Sequence, residues 1–472
     1  MQAIAITPRL LAQDGTSVRQ VATLIIVATL PLTYAMTLRI VYPIKIYDFI
    51  LVLAAACVLW EGRLIVAPGL ARFSTPILLL LGWSTAVLCF RFALPLDSFT
   101  TEGFSSRIGP IGDAVVKLSQ WLLALLAFAM VATATYEDER RVGRWWCIGA
   151  NIAAVYGWLL TLSSVFNLPA PLLPGMIAPH TVNIAGRYIF RGGTFEEGNF
   201  FGMYLLMSLA IALWLRWRWT AVLMATTVFI TFSTASVFAL FLCGGMYAWG
   251  VGSPKRDTRI RLYTVAGYAT ILIGVLTVLV VTGYLETFFI DKLATEEYGS
   301  KIDRANLAIA GLRMAAEHPI LGVGLSHYGF NWQQYQLTDL LDQLREGKAI
   351  ANSPWIELVA ETGIVGFAFV VTFARRLWMH ASGYDGLAFR TGLFAMGLGL
   401  MTFPSFTVVF LWAFCGVVVG VRLRRDHDES TCAAAAMIRQ REFLCYGIES
   451  PIAQRQLAVG ERTGTADLAD GA

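Results

Sequence analysis

RLYTVAGYATILIGVLTVLVVTG, residues 261–283, decides the class of fold, because residues 262–283 contain no charged side chain. A helix that crosses a bilayer needs about 20 consecutive apolar residues, and this stretch satisfies that requirement. Comparable apolar runs lie at 20–41, 47–65, 74–92, 113–134, 144–166, 199–215, 219–233, 235–252, 354–374, 388–403 and 405–422. The sequence therefore predicts an all-α integral membrane protein with about twelve transmembrane helices, although 219–252 can also be read as one broken helix.

Composition supports the same class of fold. Hydrophobic residues make up 57% of the chain and charged residues only 14%, and the mean hydropathy is +0.62. In a bilayer such a chain can expose its apolar side chains to lipid, whereas in water it would have to bury nearly all of them. The five histidines include no pair at i, i+4 spacing, so we expect no metal site, and we expect no cofactor.

Lysine and arginine in the loops predict the orientation, since cytoplasmic loops are enriched in both. With a cytoplasmic N-terminus, the inner loops and the C-terminal end hold the arginine-rich groups Arg63 and Arg72; Arg140, Arg141 and Arg144; Arg216 and Arg218; Lys255, Arg256, Arg259 and Arg261; Arg375 and Arg376; and Arg422, Arg424 and Arg425. We therefore expect both termini in the cytoplasm, with a membrane domain at 1–425 and a loosely ordered cytoplasmic tail at 426–472.

Two outer loops, 167–198 and 284–353, are longer than simple turns, and long loops in compact proteins are often functional. Part of the second loop has a helical period and predicts an amphipathic helix lying against the membrane or the helix bundle. Pro319 is expected to end this helix. One face of it holds Ile302, Ala305, Ile309, Leu312 and Ala316, with Arg304 and Arg313 off that face.

A first polar cluster precedes the sixth apolar run and holds Arg187, Arg191, Glu196 and Glu197. An arginine fork suits phosphate or pyrophosphate, and a neighbouring carboxylate can take a proton from a sugar hydroxyl. The alternative is an interfacial salt-bridge network that caps a helix.

Two further clusters follow in the second long loop. His318 and His327 flank a glycine-containing turn, where either could move protons near neutral pH or simply lie at the surface. Ser353 and Pro354 are typical of the N-cap and first position of a helix. Glu357 and Glu361 share one face of that helix and should point into a polar cavity, although the helix dipole alone accounts for Glu357.

Together, the clusters resemble the O-antigen ligase and polymerase family of bacterial envelope proteins over about residues 20–422. The resemblance rests on three motifs in the family's order: Arg191, Gly193, Thr194, Phe195 and Glu197; then Pro319, Gly322 and Gly324; then Trp355, Ala360, Glu361 and Gly363. Where ligases of the family have a histidine at the start of the third motif, this chain has Asn352. An asparagine is no general base, so Glu197, His327 or Glu357 would take that role, or the reaction needs no base.

The resemblance implies a metal-independent membrane glycosyltransferase that polymerises exopolysaccharide or O-antigen on the periplasmic face of the bacterial inner membrane. Its donor would be an oligosaccharide on undecaprenyl pyrophosphate, and its partners would include membrane lipid, a chain-length regulator and other polysaccharide-export proteins, with no nucleic acid. The implied catalytic residues are Arg191, Glu197, His327 and Glu357, and the implied substrate-binding residues are Arg187, Arg304, Arg313, Asn352 and Glu361. The rival hypotheses are a transporter or flippase of lipid-linked glycan and a non-catalytic assembly subunit.

Overall fold

A computed structural model of the chain describes residues 18–35, 37–39, 43–60, 66–93, 109–176, 180–184, 187–250, 258–281, 283, 298–337, 349–351, 353–381, 386–401, 403 and 405–446. Within these residues the protein is almost entirely helical, which confirms the predicted α class. The helices are α1 Val18–Thr29, α2 Ile46–Trp60, α3 Ala71–Ala93, α4 Gly109–Glu137, α5 Glu139–Val165, α6 Gly198–Trp214, α7 Arg218–Ile230, α8 Thr234–Trp249, α9 Thr258–Val281, α10 Tyr298–Glu317, α11 Tyr328–Tyr335, α12 Pro354–His380, α13 Gly386–Gly399 and α14 Val409–Tyr446.

Two short antiparallel hairpins accompany the helices. The strands β1 Leu38–Arg39 and β2 Pro43–Ile44 form the first hairpin, and β3 Thr181–Ile184 and β4 Arg187–Phe190 form the second. Neither hairpin was predicted. The run 20–41 was predicted to be one helix, but α1 ends at Thr29. Pro31 explains the correction, because a proline disfavours helical geometry in the residue before it and cannot donate a backbone hydrogen bond.

Five of the described helices are long and apolar enough to cross a membrane, namely α3, α4, α5, α9 and α12. Shorter apolar helices are α1, α2, α6, α7 and α8. The protein is therefore of membrane type, and the count of twelve spans stays a prediction. The stretch 219–252 forms two separate helices, because Ser233 caps α8 by accepting a hydrogen bond from the Ser236 amide.

The arginine-rich helix ends gather at one end of the bundle. The guanidinium of Arg19 at the start of α1 pairs with Glu137 at the end of α4. Arg376 near the end of α12 donates to the carbonyl of Arg72 at the start of α3. Lys117, near the start of α4, contacts Glu357, near the start of α12, so the far ends of these two helices share one end of the bundle. The first residues of α4 and α12, together with the C-terminal end of α5, lie at the opposite end, because α5 begins directly after α4.

The amphipathic helix predicted in the second long loop is α10, and it ends at Glu317, before Pro319, as predicted. The predicted apolar stripe is not the face that packs against the bundle. Leu307, Ala310 and Met314 pack against α11 and α12, whereas Leu312 of the predicted face is 56% exposed. The predicted stripe points away from the bundle, since a second stripe about 150° away on the helix makes those contacts. Of the two predicted partners, the bundle is thereby excluded, and the membrane stays a prediction.

The structure divides into two compact units, Met1–Arg422 and Leu423–Ala472. The predicted boundary at 425/426 falls inside α14, which continues as a helix to Tyr446. Residues 447–472 of the predicted tail lie outside the described residues.

Candidate functional site

The turn after α10 is inserted into a break in α12. Gly363 has φ 65° and ψ −171°, which interrupts the helix. The freed carbonyls of Ala360 and Glu361 accept hydrogen bonds from the amides of Val323 and Gly324 at 2.8 and 3.0 Å. The second and third sequence motifs therefore form one unit, although almost forty residues separate them.

Glycines are required at this junction because the two backbones almost touch. A Cβ atom on Gly363 would lie 2.1 Å from the carbonyl oxygen of Ile320, and one on Gly322 would lie 2.4 Å from the carbonyl carbon of Glu361. Both glycines also have positive φ, at 65° and 69°, which side-chain-bearing residues rarely adopt. The sequence analysis identified both glycines as parts of motifs. The structure shows that the close approach of the two backbones requires glycine at these positions.

We expect Gly363→Ala to destabilise the protein by about 3 kcal/mol, because it combines a strained backbone with a main-chain clash. The thermal unfolding midpoint in detergent measures this effect. Gly274→Ala in α9 is the matched control, since a Cβ there meets nothing within 4 Å. A Gly363→Ala variant as stable as the wild type would show that the junction can open without cost.

A buried charge cluster lies beside the junction. The ammonium of Lys117, in the third turn of α4, contacts the carboxylates of both Glu357 and Glu361, the latter at 2.7 Å. Glu361 is 2% exposed and also accepts a 3.4 Å hydrogen bond from the Tyr328 amide at the start of α11. The sequence predicted a polar environment for the two glutamates. The ammonium of Lys117 provides it, from a helix more than two hundred residues earlier in the chain.

The same cluster lines a small cavity of about 20 Å³. Its other walls include Leu325, Ser405 and Thr407. A cavity of this size can hold a water molecule or one hydroxyl group. Glu357 is the more accessible of the two carboxylates, with 16% of its side chain exposed against 2% for Glu361.

His327 is buried and directly precedes Tyr328, the residue whose amide donates to Glu361. Its Nδ1 is 2.7 Å from the carbonyl oxygen of Leu325, an acceptor that requires Nδ1 to carry a proton. The imidazole is therefore held in place rather than lying free at the surface. His318, by contrast, contacts the hydroxyl of Tyr335 at 3.4 Å.

Arg191 follows the second hairpin, which is anchored on the end of α5. The amide of Phe190 donates to the hydroxyl of Ser164, and Arg187 donates to the carbonyl of Val165. The Nε of Arg191 lies 2.8 Å from Nδ1 of His180. Glu197 occupies the N-cap position of α6, without a capping hydrogen bond from its side chain.

Both motif regions pack against the start of α14 and the segment before it. Phe195 of the Arg191 motif stacks edge-on against Phe410, with ring centroids 5.7 Å apart. Phe406 packs against Trp355 at 5.0 Å and Trp121 at 6.2 Å, beside the charge cluster. The Arg191 motif and the charge cluster therefore lie at the same end of the bundle, which is the end opposite the arginine-rich helix termini.

The remaining predicted site residues are less central. Arg313 caps α11 by donating to the carbonyls of Tyr335 and Gln336, and Arg304 is exposed. Asn352 lies outside the described residues. Lys45, before α2, is close to Glu196, and burial lowers the pKa of its ammonium while Asp48 and Glu196 act in the opposite direction. No cluster of three or more potential metal-binding His, Cys, Asp or Glu side chains occurs in the described ranges.

Sequence reasoning missed Lys117, although a signal for it was available. It is an ionisable residue inside the predicted span 113–134, and such residues are costly in a bilayer unless they serve a polar site. Trp83 was missed as well; its indole N–H donates to the carbonyl of Thr362 at 2.8 Å and so holds the broken turn of α12. No sequence pattern marks that contact.

These features define a class, namely a helical membrane protein with a buried charged site at one end of its bundle. Residues 219–371 match the model of the O-antigen ligase family, which confirms the predicted resemblance over that stretch and indicates a membrane function of the O-antigen ligase or polymerase type. The match contains the second and third motifs but neither Arg191 nor Lys117. No curated protein matches the chain.

Proposed function

We propose that this protein is a glycosyltransferase of the bacterial inner membrane that polymerises exopolysaccharide or O-antigen. It transfers a glycan from an undecaprenyl-pyrophosphate donor to a sugar hydroxyl on the periplasmic face, with both termini in the cytoplasm. The observation that carries the proposal is the contact of Lys117 with Glu357 and Glu361, built on motifs of the matched family. A chain-length regulator and export proteins are its proposed partners.

Glu357 is the proposed general base. The acceptor oxygen attacks the anomeric carbon of the donor, the bond from that carbon to the pyrophosphate oxygen breaks, and the hydroxyl proton passes to Glu357. The cluster of one ammonium and two carboxylates has an excess of one negative charge, so taking up this proton relieves repulsion between the carboxylates. Lys117 remains as the counter-ion of Glu361.

Glu361 and His327 are proposed to position Glu357 rather than to take the proton themselves. Glu361 is the more deeply buried carboxylate, and the Tyr328 amide and Lys117 already fix it. His327 is held through Leu325, a residue that also lines the charged cavity. Glu197 remains a second candidate base beside the Arg191 motif, and the Glu357 experiment in the Discussion separates the two.

Arg191 is proposed to stabilise the pyrophosphate leaving group, helped by Arg187, while Arg304, Arg313 and Asn352 are proposed to bind the glycan. The fork of N–H donors on Arg191 suits the phosphate oxygens on which negative charge develops. Its place directly after an anchored hairpin, with Nε 2.8 Å from Nδ1 of His180, keeps the guanidinium oriented before the donor arrives.

We expect Arg191→Ala to reduce polymer formation by about 10²–10³-fold, as for the loss of one electrostatic donor to a transition state. The assay supplies purified protein in vesicles with lipid-linked oligosaccharide and measures chain length on a gel. Arg140→Ala, an exposed arginine of α5 at the opposite end, is the matched control. Normal long polymer from Arg191→Ala would refute the assigned role.

Transport is the second candidate function, favoured by the interruption of α12, because broken helices are typical of transporter binding sites. The break is nevertheless filled by the turn that contains Gly322 and Gly324, rather than open to a substrate. The same vesicle assay separates the functions: glycan that crosses the membrane without being elongated would support transport and contradict polymerisation.

A further inference from the structure

His180 and Arg191 lie opposite each other just beyond the paired residues of the second hairpin. Because the register pairs Thr181 with Phe190, the next opposite pair is His180 with Arg191. The Arg191 amide donates to the His180 carbonyl at 3.2 Å and so extends the pairing by one residue in each strand. Opposite residues of two antiparallel strands project their side chains on the same face, so the backbone places the imidazole beside the guanidinium.

This face of the hairpin is packed against the helices. Ile189 and Val182 form the pair two residues further into the hairpin, and they pack with Phe232 and Val165. Side chains two residues apart on a strand share a face, so the histidine and the arginine lie next to these apolar contacts. The position of the pair is therefore fixed by the end of α5 and by the turn before α8, as well as by the hairpin.

The contact between the two side chains specifies one protonation state of His180. Nε of Arg191 carries a hydrogen, so it is the donor, and Nδ1 of His180 accepts at 2.8 Å. An accepting Nδ1 has no proton, so the imidazole is neutral and has its hydrogen on Nε2. A protonated imidazole is an N–H donor at both nitrogens and positively charged, so it cannot accept this bond and is repelled by the guanidinium.

His327 shows the opposite arrangement. Its Nδ1 lies 2.7 Å from the carbonyl oxygen of Leu325, which makes Nδ1 the donor. Protonation of Nε2 leaves that bond in place, because Nδ1 carries a hydrogen in both states. A change between pH 8 and pH 5 therefore breaks the contact of His180 but not that of His327.

We infer that neutral His180 positions Arg191 for the leaving group and that protonation of His180 releases the guanidinium, so that acid slows glycan transfer. The inference rests on the proposed function and adds its regulation. Arg191 keeps its positive charge at either pH, so the place of that charge changes and its size does not. Since the hairpin lies at the proposed periplasmic end of the bundle, the pH in question is that of the periplasm.

The elements packed against this face of the hairpin bring few other titratable groups. Residues 157–166 at the end of α5 and residues 228–236 around the turn before α8 contain none. The groups near the pair belong to the hairpin, to the segment after it and to the other face, namely Arg187, Glu196, Glu197, Lys45 beside Glu196, and the phenols of Tyr34 and Tyr156 packed around Phe190. A substitution of His180 leaves all of them in place, so comparing variants at the same pH cancels their titration.

His180→Asn is the decisive variant, because Oδ1 of asparagine is bonded to Cγ as Nδ1 of histidine is and accepts the same bond without titrating. His180→Leu removes the acceptor. His180 is exposed, so both variants should fold normally. At pH 7.5 we expect His180→Asn to transfer glycan at the wild-type rate and His180→Leu about tenfold more slowly, because Arg191 remains but is no longer held in position.

The pH profile then separates positioning from a merely structural role. Histidine ordinarily titrates near about pH 6.5, so the wild type should lose the contact at pH 5.0. The wild-type rate divided by the His180→Asn rate should fall about fivefold from pH 7.5 to pH 5.0, and the wild type and His180→Leu should then differ by less than about twofold. The control is His427→Asn, an exposed histidine of α14, whose ratio to the wild type should stay constant.

Nuclear magnetic resonance of the protein labelled with ¹⁵N-histidine tests the contact without any glycan. The signals of His180 are those that disappear in His180→Asn. At pH 7.5 they should show the neutral tautomer with its hydrogen on Nε2, and Arg191→Ala should shift the Nδ1 signal. At pH 5.0 both ring nitrogens should be protonated.

The outcomes separate this inference from the proposed function. If the ratio of wild type to His180→Asn stays constant or rises in acid while glycan is transferred, the inference is overturned and the proposed function stands. A hydrogen on Nδ1 of His180 at pH 7.5 overturns the inference as well. The Nε2–H tautomer, with an Nδ1 signal that depends on Arg191, in a protein that transfers no glycan at any pH supports the hold on Arg191 and refutes the proposed function.

Discussion

Glu357→Gln is expected to slow glycan transfer by about 10²–10⁴-fold, the range for loss of a general base. The amide keeps the size of the side chain but cannot take up a proton at neutral pH. Lys117 keeps its contact with Glu361 at 2.7 Å, so the variant should insert and fold normally. Single-turnover transfer from lipid-linked oligosaccharide measures the rate directly.

The comparison variants are Glu197→Gln and Glu357→Asp. Glu197 lies in the Arg191 motif, so a larger loss there than at Glu357 would move the base to the other cluster. Glu357→Asp keeps the carboxylate but withdraws it by one methylene group, and we expect a partial loss. Wild-type polymer from Glu357→Gln, with normal protein levels, would exclude this residue as the base.

Helix positions could be predicted from the sequence where one apolar run coincides with one helix. The runs 354–374 and 388–403 correspond to α12, Pro354–His380, and α13, Gly386–Gly399. The start of α12 was predicted because Ser353 and Pro354 are local signals, and Ser353 is indeed the N-cap residue. Such features depend on residues close together in the chain, which is the range over which periodicity and capping act.

Features that depend on distant residues could not be predicted in the same way. Lys117 and Glu361 can each be recognised in the sequence as charged residues. Because 244 residues separate them, the sequence does not show that they are in contact. Which side of α10 packs against the bundle could not be predicted, because two apolar stripes share that helix and only its neighbours decide which stripe is covered. The break at Gly363 was likewise invisible, since glycine is common in membrane helices without interrupting them.

The Lys117 contact also makes a prediction about stability. Lys117→Met leaves the carboxylates of Glu357 and Glu361 without their counter-ion, and Glu361 is only 2% exposed. Breaking a buried ion pair from one side costs about 3–5 kcal/mol, because a charge then stays in a medium that solvates it poorly. We therefore expect a lower unfolding midpoint and loss of transfer activity.

The double variant Lys117→Met/Glu361→Gln distinguishes lost charge balance from lost packing. The amide is neutral yet can still accept the hydrogen bond from the Tyr328 amide, so the part of the loss that comes from Glu361 should be regained. The rest remains because Glu357 has also lost its counter-ion, and activity stays low. Arg424→Met is the control, because its pair with Asp428 is exposed and should contribute less than about 1 kcal/mol.

Hydrogen exchange at the amides of Val323 and Gly324 shows whether Lys117→Met destabilises the junction between the turn and α12. These amides donate to the carbonyls of Ala360 and of Glu361 itself, so Lys117→Met should speed their exchange and the double variant should slow it again. This links the charge cluster to the turn that fills the break in α12. If Lys117→Met unfolds at the wild-type temperature with unchanged exchange, the ammonium does not hold the two motifs together, and Glu361 must be stabilised by its backbone contacts alone.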